Sequence, residues 1–180
     1  KNKIKKFLND YMKWTPSKIV IVILLLLPIL LNFNTKFKLN NDFWFLINTG
    51  KYIINNGIPH IEPFTMHSNL SFVVQQWLTD IIFYFIYSKF NIYGMYIFTI
   101  TMELLIIYLM YKVCLLISNN KIKLSIIITV LIMLILNRDF ITTRPHLFDI
   151  LFLTLELYLL ELYIKRNNKK YLIGLPLISL

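Results

Sequence analysis

WLTDIIFYFIYSKFNIYGMYIFTITMELLIIYLMYK, residues 77–112, decides the fold, because the place where it breaks sets the side on which every later loop emerges. From 77 to 90 the stretch is apolar and aromatic but only about a dozen residues long. That length suits a half-inserted, interfacial helix better than a full crossing. Asn91 and Gly94 then break the run, and 93–112 is long enough to cross by itself.

Working outward, the hydrophobicity comes in blocks. Apolar residues make up 57% of the 180 and the mean hydropathy is +0.63, too high for an ordinary soluble domain. The predicted fold class is all-α: a polytopic transmembrane helix bundle with interfacial helices in its first outer loop. Spans are expected at about 19–33, 93–112, 122–137, 146–164 and from 171 onward. Residues 1–18 form a basic cytoplasmic leader with six lysines, and Phe7, Leu8, Tyr11 and Trp14 fall at helical spacing within it. Pro28 is a tolerated kink in the first span, and no small-residue cleavage site follows that span. The outer loop covers 34–92. Within it, 42–56 repeats apolar residues at helical spacing, with Asn40, Asn41 or Asp42 to cap its start and Gly57 its end. Residues 58–71 hold two prolines and turn formers and are expected as loop. The chain reads as the N-terminal piece of a longer protein.

The formal charge of +10 follows the same topology. Segments 1–18, 112–123 and 165–170 hold thirteen Lys and Arg, against six in the segments assigned outside. This is the positive-inside bias, with the N-terminus cytoplasmic. Because the cations flank apolar spans, membrane lipids are the expected partner, and nucleic acid is not. The single Cys114 sits in an apolar run, which excludes a disulfide framework and a cysteine metal site. Abundant Ile, Asn, Lys, Tyr and Phe match the bias of an AT-rich bacterial genome.

Ionisable residues collect where the helices meet water on the outer side. Asp42, Glu62 and Asp139 are carboxylates suited to a general base toward a hydroxyl, or to holding a divalent cation (Mg or Mn) against a phosphate. From spacing alone, a helix N-cap is the favoured reading of Asp42. His60 and His67 flank Glu62 without a register that converges them, and a satisfied loop histidine is the simpler reading for each. Arg144, Pro145 and His146 open the last complete span. Pro145 fits a first helical turn, Thr142 or Thr143 can cap it, and the free N–H groups beside Arg144 make an anion site for phosphate. An interfacial anchor is the rival reading for Arg144. Below it His146, Asp149, Leu153 and Glu156 share a helix face, and Glu103 lies mid-span, as interhelical hydrogen bonding or a polar path would require.

DFWFLINTGK (42–51), NGIPHIEPFT (56–65), QWLTD (76–80) and TTRPHLF (142–148) together resemble a group of bacterial multi-span proteins. Their pattern runs D-x-W-x-x-x-x-x-G, I-P-x-x-D-P-F-S, W-L-x-[ED] and R-P-[HQ]-L-F. Glu62 and Thr65 stand where that pattern has Asp and Ser. The group is similar in turn to membrane glycosyltransferases of the GT-C class, which includes protein O-mannosyltransferases and the lipid A aminoarabinose transferase. The resemblance implies an enzyme of the bacterial plasma membrane that takes a sugar from a polyprenyl-phosphate-linked donor. It implies Asp42 as catalytic base or metal-associated carboxylate and Asp139 as a second acid. Arg144, His146, His60 and Glu62 are expected around substrate and phosphate. A transporter or lipid flippase using Glu103, Asp149 and Glu156, and a non-catalytic envelope-assembly protein, are the alternatives.

Overall fold

A computed structural model describes residues 22–23, 25–26, 29–30, 42–67 and 69–178, without the side chains of Arg138, Asp139, Leu177 and Ile178. The basic leader, the proposed kink at Pro28 and the proposed caps Asn40 and Asn41 lie outside the described residues. Helix α1 is Phe43–Asn56, α2 Trp77–Ile117, α3 Ile122–Asp139 and α4 His146–Arg166. A 3-10 turn at Lys169–Leu172 leads into a short α5 at Leu175–Ile178, so helix resumes four residues later than the expected start at 171. Among the described residues there is no strand, only an isolated antiparallel bridge between Ile61 and Ser71.

The break in α2 falls at Asn91, whose φ of 52° and ψ of −154° leave the helical region. Fifteen residues of straight helix would separate Phe83 from Phe98 by about 22 Å. Their ring centroids lie 5.7 Å apart, so the chain folds back sharply at the corner. Gly94 makes the return possible. A Cβ there would sit 2.4 Å from Phe90 Cβ and 3.2 Å from Ile86 Cγ2. Asn tolerates positive φ better than most residues, which is why the corner centres on Asn91.

The segment before the corner packs on α1. Phe43, Leu46 and Ile47 close on Phe83 and Met95 in one buried cluster. Full burial of Phe43 or Phe83 is worth roughly 1.5–3 kcal/mol each against exposure to water. The two helices touch backbone to backbone at Gly50, where an added Cβ would lie 2.1 Å from the Asp80 carbonyl oxygen. Gly57, at φ 84°, ends α1 as expected and donates its N–H to the Ile53 carbonyl.

The segment after the corner is the bundle's axis. Met102, Ile106 and Ile107 pack with Met133 of α3 and with Ile141 and Leu147 around the start of α4. Ile29, Leu25 and Leu26 of the first expected span join the same cluster. Among the described residues, α2 is the one helix long and apolar enough to cross a membrane. α3 is apolar but shorter over Ile122–Asn137. α4 carries Asp149, Glu156 and Glu161 along its length.

Turns at the two ends are fixed differently. Asn119 and Asn120 adopt left-handed φ between α2 and α3, and Ser118 and Ser125 hydroxyls meet at 2.7 Å across the turn. Lys165 of α4 donates to the Leu116 carbonyl and, at 2.7 Å, to Asn119 Oδ1. This draws 118–121 and 165–170 to one end of the bundle, while α1 and α4 both begin at the other.

Candidate functional site

The turn from 140 to 145 is built so that two side chains point in and one points out. Ile141 is buried in the core. Thr143 is buried and shares a 3.1 Å hydrogen bond with Thr99, whose hydroxyl donates in turn to the Met95 carbonyl. Arg144 N–H donates to Thr142 O at 2.7 Å, and Leu147 N–H to Arg144 O at 3.2 Å. The Arg144 side chain is thereby sent toward the start of α1.

Asp42 stands there. Its Oδ2 accepts a 2.8 Å hydrogen bond from Arg144 Nη2 across 102 residues of sequence. Although Asp42 occupies the N-cap position of α1, its side chain makes no cap hydrogen bond. The cap reading is therefore corrected: the carboxylate is engaged by the guanidinium instead. The capping expected of Thr142 or Thr143 is corrected as well. Pro145 holds the N-cap position of α4 with no side-chain cap, because Thr143 is committed to Thr99.

Asp42, Phe45, Leu46, Gln76, Arg144, Pro145, His146 and Asp149 line one cavity of about 450 Å³. His146 Nε2 is hydrogen-bonded to the Phe140 carbonyl oxygen, which makes Nε2 the protonated donor and fixes the ring at the rim. A second cavity of about 750 Å³ runs between the first segment of α2 and α4. Leu78, Ile82, Phe148, Phe152 and Leu153 give it an apolar wall, with Asp149 and Glu156 at intervals. The two cavities share Gln76, Pro145 and Asp149, so they meet at a common mouth. The face His146–Asp149–Leu153–Glu156 expected from helical spacing is thus the face that lines them.

Other expected site residues stand apart. His60 and Glu62 belong to a loop closed by Glu62 N–H to Leu70 O at 3.0 Å and Phe72 N–H to His60 O at 2.9 Å. Neither lines the two cavities. The loop reaches the site through rings, Phe64 and Phe72 packing edge-on to Phe45. The Asp139 backbone ends α3, and its side chain lies outside the described set. Among the described residues, no group of three His, Cys, Asp or Glu converges on a point that would hold a metal.

Sequence reasoning gave Asp80 no role, yet among the described residues it is an unusual acid. It is 1% exposed, and neither carboxyl oxygen has a hydrogen-bond partner among the described residues. It lies in the first turn of α2, ahead of the corner and outside the stretch assigned to the membrane, where α1 crosses at Gly50. Burial pushes its carboxyl up to about 7. The signal available in sequence was the pairing of Gly50 with the acid ending QWLTD, but only the crossing shows why the two belong together.

Comparison with known proteins finds no match: no family model, no curated protein and no solved structure is similar to this chain.

Proposed function

We propose that this chain belongs to a multi-pass glycosyltransferase of a bacterial plasma membrane, with residues 1–18 on the cytoplasmic side. It takes a sugar from a polyprenyl-phosphate-linked donor and gives it to an extracytoplasmic acceptor. The single observation that carries this reading is the meeting of Asp42 and Arg144 in one cavity, since it joins a proton acceptor to an anion site. The donor's phosphate is bound by Arg144 at the N-terminal end of α4, where the helix dipole favours an anion. The sugar lies in the 450 Å³ cavity, and the prenyl chain follows the apolar wall of the 750 Å³ groove.

In the transfer step the acceptor oxygen attacks the anomeric carbon as its proton passes to an Asp42 oxygen. The bond from that carbon to the phosphate oxygen breaks, and the phosphate leaves with the electron pair. Arg144 meets the charge that develops on it. A divalent cation was expected between Asp42 and Asp139. Of that pair Asp42 faces a guanidinium and the Asp139 side chain lies outside the described residues, so the expectation is left aside. No step is routed through a metal.

The test is Asp42→Asn in the full-length protein, reconstituted with a polyprenyl-phosphate sugar. Transfer is expected to fall by about 10²–10⁴ while the protein still accumulates in the membrane. Unchanged turnover removes Asp42 from the mechanism. The groove's two acids favour a second reading, a lipid transporter, which requires the opposite result: dependence on Asp149 and Glu156 with little on Asp42.

A further inference from the structure

The Asp42–Arg144 contact occupies the guanidinium that the donor phosphate needs. We infer that Arg144 exchanges anions: at rest it is held by Asp42, and the phosphodiester of an arriving donor takes the guanidinium and releases the carboxylate to act on the acceptor. This rests on the donor-binding reading above and adds to it a coupling, in which the base is set free by the substrate it serves.

Four features of the contact favour exchange over a permanent bridge. It is single rather than forked, with one Nη2 meeting one Oδ2. Both partners face the cavity, Arg144 41% exposed and Asp42 60%, and pairs this open are weak and accessible to solutes. Arg144 Nε is buried with no partner among the described residues, so the fork is underused. A phosphodiester, with two non-bridging oxygens, can meet a guanidinium at two points, where the carboxylate here offers one. Finally, Asp42 has another place to go. It holds the N-cap position of α1 with its cap bond unmade, and the first-turn N–H groups of that helix are the normal partners of such a carboxylate. The turn carrying Arg144 is pinned through Ile141 and Thr143, so the carboxylate is the partner that moves.

Equilibrium binding of two probes tests this in the full-length protein, held in phosphatidylcholine nanodiscs that contribute no anionic headgroup. The probes are inorganic phosphate and a polyprenyl monophosphate. Removing a competitor of this exposure is expected to tighten binding about two- to five-fold in Asp42→Asn. Arg144→Gln is expected to weaken it at least ten-fold, with Arg144→Lys as the substitute should the Gln variant not accumulate. Tightening with both probes marks phosphate in general as the displacing group, and tightening with the lipid alone marks a lipid headgroup; either supports the exchange. Asp149→Asn removes a charge from the same cavity without touching the pair and is expected to tighten binding less. Binding by Asp42→Asn that is unchanged, weaker, or tightened no more than in Asp149→Asn overturns the inference. In the wild type, difference infrared spectra on adding phosphate are expected to contain a carboxylate shift that Asp42→Asn lacks, and its absence overturns the inference too. The two proposals fail separately. An Asp42→Asn protein that binds phosphate more tightly yet still transfers sugar refutes the base and leaves the exchange. One that loses transfer with unaltered binding does the reverse.

Discussion

At one end of the bundle Lys165 closes a turn, and at the other Arg144 reaches a carboxylate across an open cavity. Both cations stand near a terminus of α4, yet their partners differ in kind. Lys165 meets the Leu116 carbonyl and the Asn119 amide oxygen, neutral acceptors belonging to the end of α2 and the turn after it. Such a contact satisfies orphan carbonyls at a helix C-terminus and joins two elements. Arg144 meets a charged side chain that a solute anion can replace. A cation near a helix end is therefore joinery or recognition according to whether its acceptor is exchangeable. The positive-inside count cannot distinguish the two.

The largest expected effect separates the ends by activity. Asp42→Asn stops transfer, whereas Lys165→Met leaves the turnover of reconstituted protein within about two-fold of wild type. Comparable losses in the two variants would erase the distinction. Next comes Gly50→Ala, which places a Cβ against the Asp80 carbonyl, where backbone cannot yield cheaply. A cost of roughly 3 kcal/mol or more is expected. It should appear as faster amide exchange in Phe43–Asn56 while 113–125 exchanges as in wild type. Uniform loosening would show that the two ends are not held separately.

A smaller effect concerns pH. The folded-state carboxyl of Asp80 titrates near 7, above its ordinary 3.8, so the unfolded chain gives up its proton first as pH rises. The stability contributed by the protonated acid is full below about pH 4, falls as pH rises from there, and levels off above about 7. Asp80→Asn cannot ionise. At pH 8 it is expected to gain about 1–3 kcal/mol, after allowing for an amide buried without partners, and to gain nothing at pH 4. Thermal melts in detergent across that range check it, and a gain independent of pH would overturn it. Smallest is Lys165→Met read as stability, a loss of about 1 kcal/mol from the two contacts to the Leu116 carbonyl and the Asn119 amide oxygen.

The same contrast explains what could be read without coordinates. The corner at Asn91 and Gly94 was legible because its cause is local: one residue tolerant of positive φ and one without a side chain. The helical face running from His146 to Glu156 was legible for the same reason. The caps were not. Thr143 and Asp42 are sound cap residues by type, but each is engaged by a partner more than forty positions away, Thr99 and Arg144. His60 and Glu62 looked like site residues because the motif holds them, yet the hairpin-like closure of their loop keeps them off the cavity wall. Asp80 was invisible because its burial depends on Gly50, thirty residues earlier.

The shared mouth of the two cavities has a consequence for molecular shape. A ligand occupying both runs past Gln76, Pro145 and Asp149, with the Asp42–Arg144 pair on one side and an apolar wall on the other. Such a partition suits a molecule with a polar head at one end and a long hydrocarbon at the other, the junction lying beside Asp149.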